Sequence, residues 1–413
     1  MLGAVRRRST VARSNGVCSS SARRLGGTLS ARSAPSAASV ELGYSAVRGP
    51  RPAGARHCEK LRRVTVAPAE GLCQTCRVLR KLAAALVLAV PGCASSPTPQ
   101  SAQAVDPDAL CYGEGSVVDA DLRSYVVGLP HGKAFTRLSD AEVASASSAA
   151  RALLGGDIAG ARTASAVIGY ELVPLKTNAE CLWVLRPTMT ARNGQAVLVV
   201  RPQFLRDLVL EAPHIPFDPK TDEEAAIVFD AVGARAAVFA GAERCALKAP
   251  SGCGKNNACN KDDTPASSDA AHAVATAFQG FHLAAGTGAM ASLVIQFHTN
   301  AHRQENGDAM ITNGTDRPFA GTVTEQFFRA MGKATAADVR TCNDPAKPVL
   351  PGTLCGVTNV QGHASNGAEA CNGSPSSASD RFIHVEQNQS VVDDVAKWSG
   401  AVAVAVTSVV PVR

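Results

Sequence analysis

Apolar positions along this chain follow two periods in turn. Ser139-Asp-Ala-Glu142 has the form of a capping box, and Val143, Ala146, Ala150, Leu153 and Leu154 follow it on one side of a helix. Gly155 and Gly156 stop that helix, and a second is predicted from about 158 to 168. The pattern then shortens. Residues 197–201 and 207–211 are β-branched or apolar runs punctuated by Pro202, which reads as two strands. Thr221-Asp-Glu-Glu224 reads as another capping box, with Ile227, Val228, Ala231 and Val232 at helical spacing and Gly233 closing the helix. On that reading Glu224 is a cap. Beyond it the pattern predicts a buried strand at 236–240 and a helix capped by Ser268, with Val274, Phe278, Phe281 and Ala285 as its stripe. A strand at 292–297, a helix at 324–331 and a strand at 381–386 follow. The alternating Ala and Val of 401–410 fit a strand or a buried helix equally.

Strands alternating with helices imply an α/β domain around a mostly parallel sheet. It is expected to occupy 108–413 as one unit without internal repeats. Two long irregular insertions, about 246–267 and 342–380, interrupt it and carry five of its eight cysteines. Stapled loops of that length are more often functional rims than linkers.

Composition narrows the class. With 46% hydrophobic and 18% charged residues in 413, the chain is not disordered, fibrous or coiled-coil. Its formal charge of +6 suggests an anionic partner until it is divided along the chain. Residues 1–77 hold 14 basic and three acidic side chains, a surplus of 11, whereas the rest holds 27 against 32. The excess belongs to the leader, so no nucleic-acid role is expected of the body.

That leader is rich in Arg, Ser, Ala and Gly, as a transit peptide would be. The following segment argues for export instead. Arg80 and Lys81 precede the apolar run 82–90, and Val90-Pro-Gly-Cys93 closes it in the manner of a bacterial lipoprotein signal. The run is too short to span a bilayer, which takes about 20 apolar residues. We therefore expect Val78 to be the true start, 1–77 to be untranslated in the native protein, and Cys73-x-x-Cys76 to carry no metal. A signal at 78–92 then leads to a lipid on Cys93 that anchors the protein to a membrane outside the cytoplasm; a plain secretory signal is the alternative. A Ser/Pro/Gln/Ala tether follows at 93–107.

Past Cys93 eight cysteines remain, an even number that suits up to four disulfides in an exported protein. Proximity favours Cys253–Cys259 and Cys342–Cys355. A zinc cluster is the rival reading, but this region has no C-x2-C pair.

Several nucleophile, phosphate and metal motifs are missing. There is no G-x-S-x-G, no H-E-x-x-H, and Gly252-Cys-Gly-Lys255 lacks the first Gly and the Ser/Thr of a P-loop. What remains is a set of polar residues at predicted strand ends. His214 follows 207–211 in Glu211-Ala-Pro-His214-Ile-Pro-Phe-Asp218, His298 follows 292–297, and His384 and Glu386 lie in the last strand. Ligands of parallel sheets bind beyond the carboxyl ends of the strands. Two His and a carboxylate collected there suit a divalent metal with an open position for water, and a further carboxylate suits a general base. Read alone, each His is as well explained as a loop residue bonded to backbone. Arg244, after the 236–240 strand, either binds a substrate carboxylate or pairs on the surface. His272, Thr276 and Gln279 form a polar helical face, read as solvated or as contacts behind the site.

The run 199–221, with Glu211-Ala-Pro-His-Ile-Pro-Phe-Asp218-x-x-Thr221, resembles the first metal motif of the zinc carboxypeptidase-like hydrolases. The pattern is nearest to the poly-γ-glutamate hydrolases and N-formylglutamate amidohydrolases, and the resemblance spans roughly 190–390. It implies a phosphorylase/hydrolase-like three-layer α/β sandwich. By the same resemblance His214, Asp218 and His298 hold Zn2+ and Glu386 is the base. Asp218 stands where the pattern usually has Glu, with a spacing different by about a residue; Glu223 is the alternative acid ligand. The implied activity is hydrolysis of an amide bond in a small peptide, γ-glutamyl or cell-wall-derived substrate. The competing reading is a non-catalytic surface lipoprotein that keeps the fold for binding.

Overall fold

Ten strands pair into one sheet because their central residues are apolar on both faces, as strands covered from two sides must be. The computed structural model describes residue 111 and residues 117–188, 194–255, 258–289, 291–301, 304–344 and 353–413. The leader, the signal, Cys93 and the tether up to 107 lie outside the described residues.

In chain order the elements are β1 (Val118–Asp119), α1 (Leu122–Val127), α2 (Asp140–Leu154), α3 (Ile158–Val167), β2 (Tyr170–Lys176), β3 (Cys181–Pro187) and β4 (Val197–Val200). Then come β5 (Arg206–Ala212), α4 (Thr221–Val232), β6 (Ala234–Phe239), α5 (Ala277–Ala285), β7 (Leu293–Asn300) and β8 (Ala309–Thr312). The chain ends with α6 (Val323–Ala334), β9 (Val339–Arg340), α7 (Val360–Ser365), β10 (Phe382–Asn388), α8 (Gln389–Val392) and α9 (Val395–Val409). The strand order is β1-β2-β3-β4-β6-β5-β7-β10-β8-β9. The four central strands β6, β5, β7 and β10 run parallel. Antiparallel partners flank them, β4 beside β6 and β8 beside β10.

Helices cover both faces, giving three layers. On one face α1, α4, α6 and α9 bury Val126, Phe229, Phe327 and Val402 against Leu210, Phe297 and Val385. On the other, α2, α3 and α5 bury Ala146, Ala161 and Phe281 against Val209, Val294 and Phe382. Side chains alternate along a strand. On this second face the apolar residues of β5, β7 and β10 therefore give way, two residues on, to Glu211, Gln296 and His384. The face changes from core to site within one strand length.

The expected elements appear with local corrections. Ser139 and Glu142 form the full capping box. The box expected at 221–224 does not form. Lys220, at a left-handed φ of 71°, stands at the helix start without a side-chain cap, and Thr221 Oγ1 instead donates to Asp218 O at 2.9 Å. Glu224 is thus no cap; it is fully buried and accepts from Gln387 Nε2. Ser268 caps no helix either: its hydroxyl donates to Arg244 O, and α5 begins only after Thr276, whose side chain caps it. Residues 401–409 belong to a helix, and Val410 closes it. No helix among the described residues is long and apolar enough to cross a membrane.

Eight cysteines form four disulfides: Cys111–Cys181, Cys245–Cys259, Cys253–Cys371 and Cys342–Cys355. The last is as expected. Cys253 pairs across to Cys371, not with Cys259, because the two insertions lie against each other; Gly254 N also donates to Asn372 Oδ1 there.

Candidate metal centre

β5 delivers His214 just beyond its last residue, Ala212. One turn of chain, closed by Asp218 N donating to His214 O at 2.8 Å, returns Asp218 beside it. β7 lies parallel to β5 and extends through Asn300, which places His298 inside the strand. β10 lies parallel to β7, with Glu386 opposite His298 and His384 opposite Gln296. Alternation puts Gln296, His298 and Asn300 on the same face as His384 and Glu386.

The three groups nearest one another are His214, Asp218 and His298. Their facing atoms form a triangle: His214 Nδ1 to Asp218 Oδ2 is 3.0 Å, His298 Nδ1 to Asp218 Oδ2 is 3.2 Å, and the two Nδ1 atoms are 3.1 Å apart. The outer nitrogens are engaged elsewhere. His214 Nε2 lies 2.8 Å from Asp269 Oδ1, and His298 Nε2 lies 2.8 Å from Gln296 Oε1. Neither oxygen can donate, so each ring holds a proton on Nε2. His298 then turns a lone pair inward at Nδ1, whereas His214 Nδ1 faces the Asp218 carboxylate and is freed once any second proton there is displaced. Two imidazole nitrogens and a carboxylate oxygen then converge with at most the one proton of His214 between them. A cation resolves that arrangement. A tetrahedral zinc with ligands at about 2.0–2.1 Å has ligand–ligand edges of about 3.3–3.4 Å, close to the triangle present. The donor set therefore fits a divalent metal of this type.

Behind the triangle, Asp269 gathers three donors. Its Oδ1 also faces His272 Nδ1 at 3.0 Å, while Oδ2 accepts from Arg244 Nε at 2.8 Å. Arg244 packs over the Phe217 ring at 5.4 Å, and its terminal nitrogens hydrogen-bond no other side chain among the described residues. Glu386 accepts from Asn300 Nδ2 at 3.1 Å, and its Oε1 lies 3.7 Å from His384 Nε2. Ligating atoms of His298, His384 and Glu386 all fall within 4.8 Å of one another.

The electrostatics follow from burial. Burial and Arg244 push the His214 pKa down, yet Asp218 and Asp269 outweigh them and it ends above its ordinary value. Burial opposes ionisation of Asp218 and Asp269, but His214 and His298 hold the first carboxyl far below its usual range, and Arg244, His272 and His214 do so for the second. Burial brings His298 down to about 4, with the charge on His214 adding to the fall and Asp218 opposing it. It also takes His384 well below the imidazole range, helped by the positive charge on neighbouring rings. Glu386 goes the other way. Burial, reinforced by the charge on Asp218, raises it to about 7.

Of the residues singled out from sequence, the structure brings His214, Asp218 and His298 together, with Glu386 and Arg244 beside them. Glu223 does not join them: its carboxylate pairs with Lys220 and with Arg123 of α1. His272 and Gln279 are buried and not solvated, and His272 reaches Asp269 and Thr358. Asp269 was missed. It sits in an irregular stretch with no periodic pattern, and only its place directly after Ser267-Ser268 marks it in the sequence.

No protein-family model and no curated protein matches the chain. Among solved structures it is similar to a bacteriophage poly-γ-glutamate hydrolase, with 11% identity and a TM-score of 0.30 over 51% of this chain and 88% of that one. It is similar too to an N-formylglutamate amidohydrolase from Ralstonia eutropha, with 11% identity and a TM-score of 0.30 over 52% of this chain and 97% of that one. At this distance the likeness carries no argument about activity.

Proposed function

We propose that the chain is a zinc-dependent hydrolase of amide bonds. The observation that supports this reading is the triangle of His214 Nδ1, His298 Nδ1 and Asp218 Oδ2, with the outer ring nitrogens engaged by Asp269 and Gln296. These three residues would hold the metal, which supplies Lewis acidity to the scissile carbonyl and lowers the pKa of water. Glu386, on the adjacent strand with a pKa raised to about 7, takes a proton from the attacking water and returns it to the leaving nitrogen. Arg244, held by one nitrogen, offers its remaining donors to a substrate carboxylate. The resemblance of 199–221 to the carboxypeptidase-like motif supports a peptide, γ-glutamyl or peptidoglycan-type amide as the substrate class. Export and a lipid on Cys93 belong to the same reading, and four disulfides suit an oxidising compartment.

Elemental analysis of the purified chain tests the proposal. One zinc per chain, removed by chelator together with hydrolysis of γ-glutamyl or cell-wall peptides, is the expected result. A chain that takes up no divalent metal overturns the proposal and favours the binding-lipoprotein reading instead.

A further inference from the structure

Beneath the triangle lies a buried network that the proposed chemistry does not itself use. Gln296 is its hub. Its Nε2 donates to Glu211 Oε2 at 2.9 Å and faces Gln361 Oε1 at 3.3 Å, while its Oε1 faces His298 Nε2 and accepts from Asn359 Nδ2. All four of these polar partners are buried.

An amide can be turned end for end, so what fixes this one matters. Each neighbour is itself fixed by a group that cannot change roles. Glu211 is a carboxylate that accepts at Oε2 from Gln296, with its other oxygen 2.9 Å from His282 Nδ1. Gln361 donates its own amide protons to Ala270 O at 2.9 Å and to Gln279 Oε1 at 2.8 Å, so its oxygen is the atom left for Gln296. Asn359 caps α7, its Oδ1 accepting from Gly362 N at 2.9 Å, so its amino group is the atom left for Gln296. Backbone carbonyl, backbone amide and carboxylate thus dictate one orientation of Gln296, with Oε1 toward His298.

We propose that Glu211, Gln296, Gln361 and Asn359 are positioning residues that select the Nε2–H tautomer of His298 and so reserve its Nδ1 lone pair for the metal. The inference rests on the metal reading above only for its purpose; the tautomer itself exists without metal. Outer partners of metal-binding histidines commonly change metal affinity about 10–100-fold.

Long-range proton–nitrogen correlation spectra of the full chain, histidine-labelled and metal-free, read which ring nitrogen of His298 carries the proton. Nε2–H is expected in the wild type. Asn359→Asp keeps the capping oxygen but turns a donor toward Gln296 into an acceptor, and Glu211→Gln weakens the opposite hold. Either change should populate Nδ1–H on His298 and weaken zinc binding about 10–100-fold, and the pair together should do so most. The wild-type spectrum decides the assignment even where a variant fails to fold. Nδ1–H in the wild type overturns the proposal, as do folded variants with an unchanged tautomer and zinc affinity. Nε2–H in a chain that binds no zinc supports the assignment and sinks the metal reading alone.

Discussion

His214 and Arg244 are tied to the two oxygens of one carboxylate: Asp269 Oδ1 lies 2.8 Å from His214 Nε2 and Oδ2 lies 2.8 Å from Arg244 Nε. The proposed metal ligand and the proposed substrate-binding cation are therefore held by the same residue. Asp269→Asn retains the shape but offers only one accepting oxygen, so an amino group must face either His214 or Arg244. We predict zinc binding weaker by about 10–100-fold together with a raised KM. Chelator competition and steady-state kinetics measure the two effects. An Asn variant with both values unchanged removes Asp269 from the site.

Glu386 differs from the ligands in what its loss should do. His214→Ala removes a converging lone pair and should cost metal and activity together. Glu386→Gln preserves size and the hydrogen-bonding reach to Asn300, so zinc content and melting temperature should be retained. Turnover should fall on the order of 10²–10⁴-fold, the usual share of general acid–base catalysis. Undiminished kcat in the Gln variant would exclude Glu386 as the base.

What could be read from sequence depended on periodicity. The strands that build the centre carry β-branched and apolar residues in their first part and polar ones toward their carboxyl ends, with His298 and Glu386 inside β7 and β10 and His214 two residues past β5, so β5, β7 and β10 and their polar ends were legible. Asp269 was not, because a 3-10 turn at Ala270–His272 breaks the helix expected from Ser268. Glu224 was assigned to a helix end since its spacing from Thr221 satisfies the capping pattern. The structure puts it one turn into α4, on the face toward Trp398 and Gln387. Spacing cannot tell those two environments apart. Pairing Cys253 with its nearest neighbour failed for a similar reason, as the partner comes from an insertion 118 residues away.

Glu224 gives a prediction about pH. Burial raises its pKa to about 8 from an ordinary 4.5, with hydrogen bonds from Gln387 and Trp398 opposing. The folded chain then binds a proton that the unfolded chain releases, so the contribution to stability is complete below about 4.5 and is lost as pH rises toward 8. Glu224→Gln removes this slope. The variant should gain stability over the wild type as pH rises through that window, on the order of a few kcal/mol at its upper end. Denaturant melts at pH 5 and pH 8.5 provide the comparison. A wild-type-minus-variant difference that does not move with pH would mean that Glu224 is ionised in the fold.

The disulfides should separate stability from the site. Cys253–Cys371 joins the two insertions; Asp269 lies just past the first, and Thr358 and Asn359 lie in the second, the residues that reach His214, His272 and Gln296. Cys111–Cys181 instead ties the chain to the start of β3, which lies three strands from β5. Each closes a long loop and should contribute roughly 2–5 kcal/mol. Replacing both cysteines of either pair by Ser should therefore lower the melting temperature. Only the Cys253/Cys371 variant should also weaken zinc binding, because only there does the released segment carry groups that orient the ligands. Isothermal titration of zinc into both variants, at a temperature where each remains folded, draws the distinction. Equal zinc affinities in the two would show that the insertions keep Asp269 and Asn359 in place without that bond.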